Sequence, residues 1–480
     1  MAAVEAGTGL MDASQVRKYS EVRKGYTRFS EGDVLFAKIT PCMENGKIAI
    51  AKGLTNGSGC GSTEFHVVRA SDALSNEYLA YFLLREEFRK EAQRNMAGTA
   101  GQLRVPPGFL SDAIFPLPPF PEQRRIVAEI EKQFTRLDAS VAALRRTQAN
   151  LKRYRASVLR AACSGELVPT EAELARAEAR EYEPADVLLE RILAERRSRW
   201  QTQEKRRGKY KEPAAPDTSD LPPLPEGWGW ATLAQLGEVR LGRQRSPKRA
   251  TGPNMRPYMR AANVTWDGLD LSDVKEMDFT SAEYETYGLL TGDILLSEAS
   301  GTADEVGKPA VWNSEVDGCC FQNTLIRVRV ASDVIPYLFY HLLSDARSGA
   351  LGRAARGVGI HHLGAQRAET WVVGIPPLAD QRRIVAEVER RLSVIQQAAA
   401  AVEASLQRAE RLRQSILKRA FAGQLVPQDP DDEPASVLLE RIRAQREAEQ
   451  AAASASKKQP SRRRRVQKVP PQLALEEASA

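Results

Sequence analysis

The stretch "GTADEVGKP", beginning at Gly301, carries the glycines and the Gly-Lys pair of a phosphate-cradling loop. Such a loop needs four residues between its glycines, and a Ser or Thr after the lysine to hold magnesium. Here five residues intervene and Pro309 follows Lys308, so the stretch is not a nucleotide-hydrolysing loop. His361 and His362 are adjacent, with no acidic residue or cysteine at metal-ligand spacing, and read as loop residues. Cys42, Cys60, Cys163, Cys319 and Cys320 form no CxxC pair, which removes both a zinc site and a disulfide framework. A GxSxG elbow, an HExxH helix and a dinucleotide-binding fingerprint are all lacking. The Pro-Pro pairs sit in "LPPF", "LPPL" and "IPPL", without the Asn-Pro-Pro-aromatic order of amino-methyltransferases. The chain therefore reads as non-catalytic, with no metal site and no cofactor of its own.

The elements that could position any other site are organised as an internal repeat. "PLPPFPEQRRIVAEI" at Pro116 is answered by "GIPPLADQRRIVAEV" at Gly374, and "SVLRAACSGELVP" at Ser157 by "SILKRAFAGQLVP" at Ser415, both 258 residues later. "PADVLLERI" at Pro184 is answered by "PASVLLERI" at Pro434, at an offset of 250. Each copy predicts a proline-rich lead-in, a long helix, a glycine-containing turn and a second helix. Ile130, Phe134, Leu137, Val141, Leu144, Gln148, Leu151, Arg155 and Val158 in the first copy fall at alternating steps of four and three. The second copy repeats the steps at Val388, Leu392, Ile395, Ala399, Val402, Leu406, Ala409, Arg413 and Ile416, with Arg155 and Arg413 interrupting the two seams at the same place. A stripe of period 3.5 sustained over four heptads is a coiled-coil seam, and the two copies are natural partners. Each helix would run about 60 Å.

Between the helices lie mixed segments that repeat more faintly. "GDVLFAKITPCMENGKIAI" at Gly32 parallels "GDILLSEASGTADEVGKPAV" at Gly292, each a Gly-Asp turn, an apolar strand, a loop and a second strand. "EYLAYFLL" at Glu77 parallels "PYLFYHLL" at Pro336. The charged, proline-rich stretch 201–223 predicts a linker, and 451–480, with its run Arg462 to Arg465, a disordered basic tail. The 480 residues carry a net charge of +7, compatible with an anionic partner, and no apolar run approaches the length of a membrane span. With no signal peptide pattern, a reducing cytoplasmic location is expected.

The doubled proline-to-"QRRIV" motif, the closing "SGELVP" and "AGQLVP", the Gly-Asp segments and "LPEGWGWATLAQLGEV" together resemble the specificity subunits of type I restriction-modification systems, from Ser30 to about Gln450. The resemblance implies an α+β fold with two α/β target-recognition domains, each reading one half of a bipartite double-stranded DNA sequence. Two conserved helical regions would pair as an antiparallel coiled coil with pseudo-two-fold symmetry and dock two methyltransferase (modification) subunits. Restriction/translocase subunits would join them, and S-adenosylmethionine, ATP and magnesium would belong to those partners. The expected layout is 1–117 first recognition domain, 118–200 first helical region, 201–223 linker, 224–375 second recognition domain, 376–450 second helical region and 451–480 tail. The first domain has only about 30 residues before Glu31, against about 65 before the second Gly-Asp motif. It is expected to be shortened at its N-terminus, either naturally or through a start codon placed too far downstream.

For DNA contact, arginine and lysine suit guanine edges and phosphates, and asparagine and glutamine suit adenine. The candidates are Lys38, Asn45, Lys47, Gln102 and Arg104 in the first domain. In the second they are Arg243, Arg245, Lys248, Arg249, Arg353, Arg356 and His361. The alternative is a coiled-coil protein-interaction scaffold without DNA recognition.

Overall fold

The computed structural model describes residues 1–71, 73–99, 101–202 and 209–458, with Lys248 and 452–458 described by backbone alone. It falls into two compact units, Met1–Ala143 with Ser405–Ala480, and Leu144–Ala404. Each unit holds its own sheet and its own part of both long helices.

In the first unit Val34–Ala37 lies between Ile48–Ile50 and Phe65–Val68, antiparallel to both. Side chains alternate across a strand. Val34, Phe36 and Ile48 therefore face a core with the helix Asn76–Leu84, while Leu35, Ala37, Ala49 and Phe65 face one with Val4 and Phe29. The second unit builds the same centre from Pro309–Val311, Ile294–Ser297 and Leu325–Val330, and adds Gly237–Leu241 along the last strand. It also pairs Gly229–Thr232 with Val372–Ile375. The matching positions of the first unit, 114–117, form no strand, and Ile114 is 92% exposed. Among the described residues no strand pairs with that backbone.

The repeated motifs each do a definite structural job. Gly32 and Gly292 take the positive φ that lets the chain turn into its central strand. Asp33 and Asp293, both buried, then accept from the backbone N–H three residues before, of Ser30 and Leu290. Each also receives a two-pronged arginine from the neighbouring strand. Arg69 reaches Asp33 at 2.7 Å through Nε and Nη2, and Arg329 reaches Asp293 at 2.6 and 2.7 Å. Tyr78 and Tyr337 donate to the carbonyls of Pro116 and Gly374, just ahead of the long helices. Gln123 and Gln381, fully buried, donate through Nε2 to Pro118 and Pro376 carbonyls at 2.9 Å. A buried carbonyl next to proline needs such a donor, which is why the glutamine recurs.

The long helices are Phe120–Ser164 and Leu378–Phe421, and they pair antiparallel. In the first unit Ile130 and Phe134 share a core with Ile416, Leu417 and Ala420. In the second, Val158, Leu159 and Ala162 share one with Ile384, Val388 and Ile395. Ile130, Phe134, Leu137, Val388, Ile395 and Val402 are buried, while Val141, Leu144, Leu392 and Leu406 are half-buried. Arg413, which interrupts the seam, stacks over Phe134 at 4.2 Å and pairs with Asp138. The helix starts are held crosswise. Arg125 of the first binds Asp432, beyond the end of the second, and Arg383 of the second binds Glu171, beyond the end of the first.

Two segments differ from the sequence expectation. Within 201–223, Tyr210 packs on Trp200, Glu212 pairs with Arg197, and the Ala214 carbonyl accepts from Thr232. That part of the linker is bound to the fold by aromatic and polar contacts. Past residue 450 the chain continues as one helix, Ala435–Lys458, consistent with its alanine-rich sequence. Arg462 to Arg465 lie outside the described residues.

Candidate nucleic-acid interface

Both units carry a short hairpin at the same place in the repeat. In the first, Ala97 and Arg104 exchange backbone hydrogen bonds at 2.9 Å in both directions. In the second, Arg356 and His362 do so at 3.0 and 2.8 Å. The returning strand of each lies against the chain leaving the central strand, Arg104 beside Ile39 and His362 beside Ala299. The tips also begin alike. Gly98 has φ 137° and Gly357 φ 135°, and a Cβ would lie 2.8 Å from the Gln102 carbonyl oxygen or 1.9 Å from that of Ile360. Only glycine fits either position.

A side-chain pair pins each hairpin to its sheet. Arg104 takes Glu64 two-pronged, with Nε to Oε2 at 3.0 Å and Nη2 to Oε1 at 2.9 Å. This hydrogen bonding holds the Glu64 carboxyl below the ordinary carboxylate range, so the anchor is present at neutral pH and is lost only as pH falls into the acid range. In the second hairpin His362 Nδ1 lies 3.0 Å from Glu298.

The first-unit candidates converge on this feature. Gln102 is exposed at the tip, and Arg104 closes the stem. The Lys38 carbonyl accepts from Val105, and the turn bearing Asn45 and Lys47 adjoins the hairpin through the Thr40 N–H to the Leu103 carbonyl. Asn45 is exposed, and Lys47 donates to the Met1 carbonyl.

The second-unit candidates divide into two groups. Arg356 and His361 belong to the hairpin, exposed and half-buried, while Arg353, also exposed, turns back to donate to the Ser348 carbonyl at 2.9 Å. The basic loop is arranged differently from the sequence expectation. Arg243, a candidate for DNA contact, is buried, with its guanidinium 2.9 Å from Glu283, 2.6 Å from the Asp278 carbonyl and over the Phe279 ring. Removing it from this nest would strand Glu283 and Asp278, so it serves the fold. Arg249 also binds Glu283, at 2.8 Å, while Arg245 is exposed; the Lys248 side chain lies outside the described set.

Sequence reasoning missed three features. The arginine partner of each Gly-Asp motif stands at the same interval, thirty-six residues on, in both copies, a signal that was readable. The hairpin was also readable, as a glycine ahead of each tip. Glu283, which neutralises the basic loop, gave no local sign, because its contact with Arg243 is made by folding. Among the described residues no group of His, Cys, Asp and Glu could hold a metal ion, and no helix is long and apolar enough to cross a membrane.

Comparisons with known proteins give the class first. Residues 4–150 match the family described as the type I restriction modification DNA specificity domain. The chain is 27% identical over 433 residues to the type I restriction enzyme EcoAI specificity subunit of Escherichia coli, covering 78% of this chain and 69% of that one. It is 27% identical over 455 residues to the EcoEI specificity subunit of Escherichia coli, covering 80% and 71%. A solved chain from work on complex assembly and conformational transition of the type I R-M system shares its fold, with a TM-score of 0.61 at 20% identity over 88% of this chain and 90% of that one. Residues 4–150 thus carry a match to that DNA specificity domain, and over most of its length the chain is similar to specificity subunits of type I restriction enzymes.

Proposed function

We propose that this chain is the non-catalytic, DNA-reading subunit of such a system, acting in the cytoplasm on a bipartite double-stranded target. Each unit reads one half through its hairpin and the loops beside it. The paired helices carry two modification subunits and, through them, the restriction subunits, which supply the chemistry with S-adenosylmethionine, ATP and magnesium. The observation that supports this most is the doubled hairpin: one stem and one glycine geometry, with different residues at the two tips. A frame held constant while its tip varies is what reading two different half-sites requires.

The test is selection of bound duplexes from a randomised pool by the chain co-purified with its modification subunits. Two short specific blocks separated by a fixed unspecified gap are the expected result, and random retention would sink the proposal. The chain alone should neither methylate nor cut DNA when given S-adenosylmethionine, ATP and magnesium.

A finer expectation separates the two arginine groups. Arg356→Ala should weaken DNA binding without loss of thermal stability. If the contact is to phosphate, the slope of log affinity against log salt should become shallower by about 0.9. Arg243→Ala should instead lower the melting temperature. The reverse pattern would exchange their roles.

A further inference from the structure

The second hairpin displays two apolar side chains to water. Val358 is 104% exposed and Ile360 55% exposed, on a tip that runs Gly357-Val358-Gly359-Ile360. Isolated exposed apolar residues are common on proteins and carry no meaning alone. These two are different in three respects.

First, they are held out by a closed stem. The Arg356–His362 backbone pair shuts the hairpin, His362 is anchored to Glu298, and Arg367 Nη1 binds the Leu363 carbonyl at 2.8 Å. Second, Arg356, exposed at the stem, and His361, next after Ile360, flank the tip. An apolar point beside an arginine matches a ligand with an anionic outline and an apolar spot within it. Third, the same hairpin in the first unit carries polar residues, Thr99 and Gln102. The apolar character is therefore no requirement of the stem. It belongs to the tip of one reader.

Resting on the DNA-reading function above, we propose that Val358 and Ile360 are specificity-determining residues that contact the C5-methyl group of a thymine in the major groove of the second half-site. A two-stranded ribbon fits that groove, and the thymine methyl is the apolar feature there by which a protein distinguishes A·T from the other pairs. Arg356 and His361 serve as flanking donors to phosphates or neighbouring base edges.

The experiment uses the full chain with its modification subunits and a duplex selected by it from a randomised pool. Affinity is compared for that duplex made with thymine and with uracil, which lacks only the methyl group. The wild type should bind the uracil duplex about four-fold more weakly, the effect of one buried methyl. Val358→Ala combined with Ile360→Ala should weaken binding to the thymine duplex and remove the difference between the two. Thr99→Ala, in the other hairpin, should leave the difference intact.

A selected second half-site without thymine overturns the proposal. So does a uracil effect that is the same in the wild type and the double variant. Unstacking of 2-aminopurine that requires Val358 would make the tip a wedge between bases, and loss of the modification subunits from the double variant would make it a protein-docking point; either result overturns the methyl contact. If the wild type selects no sequence at all, the DNA-reading function itself fails, and this proposal with it. Selection that persists without a thymine preference at the second half-site removes the proposal alone.

Discussion

Replacing Ile395 with Asp should destabilise the second unit by about 4 kcal/mol or more, since it removes a buried apolar side chain and places an unpaired carboxylate in the core that the two long helices share there. Leu137→Asp should act in the same way on the first unit, where Leu137 is buried beside the core that Phe134 shares with Ile416. Circular dichroism should show an early, partial loss of helix on heating for either variant. Co-purification with modification subunits should fall in parallel, because the proposed docking frame is the helical pair. Ile395→Ala, which leaves no charge, should lose about 2–4 kcal/mol and retain partners. Melting unchanged in both Asp variants would mean that the helices do not depend on one another.

The second large effect is expected at the Gly-Asp turns. Asp293→Ala should cost the second unit about 3 kcal/mol, because it strands Arg329 and an N–H of the turn while removing a buried carboxylate. Asp33→Ala should cost less, about 1–2 kcal/mol, since Arg69 is 67% exposed and falls back on water. The Arg69 hydrogen bonds hold the Asp33 carboxyl below its ordinary range. Its contribution is accordingly complete above the unfolded carboxylate value near 4, and disappears as pH falls through the lower folded value. Urea unfolding at pH 7 and again near pH 3 should show the Asp33→Ala difference shrinking with acid. A difference that is constant or grows would separate the turn from the ion pair.

Legibility in the sequence followed the range of the interaction. The heptad seam is local, and of its residues Ile130 and Phe134, with Val388 and Ile395, share cores with the other long helix. The glutamine of "QRRIV" was visible as a repeat, yet its purpose, holding the carbonyls of Pro118 and Pro376, needed the turn geometry. Arg243 shows the limit. In the sequence it stands in a run of cations and invites an anionic ligand, but its counter-charge, Glu283, is forty residues away and meets it only when the sheets close. Charge pattern records what a loop carries and is silent on what the rest of the chain brings to it.

The hairpin stems have a consequence for how such a protein changes over generations. Ala97 with Arg104, and Arg356 with His362, are joined through main-chain groups. Apart from the glycine that opens each tip, the joint is indifferent to which side chains the tip bears. Replacements at Thr99, Gln102, Val358 or Ile360 alter what is presented to a ligand while leaving the melting temperature nearly untouched. If the tips read DNA as proposed, mutational drift explores new binding preferences at these four places without first crossing a barrier of misfolding, and each tip does so while the other keeps its preference.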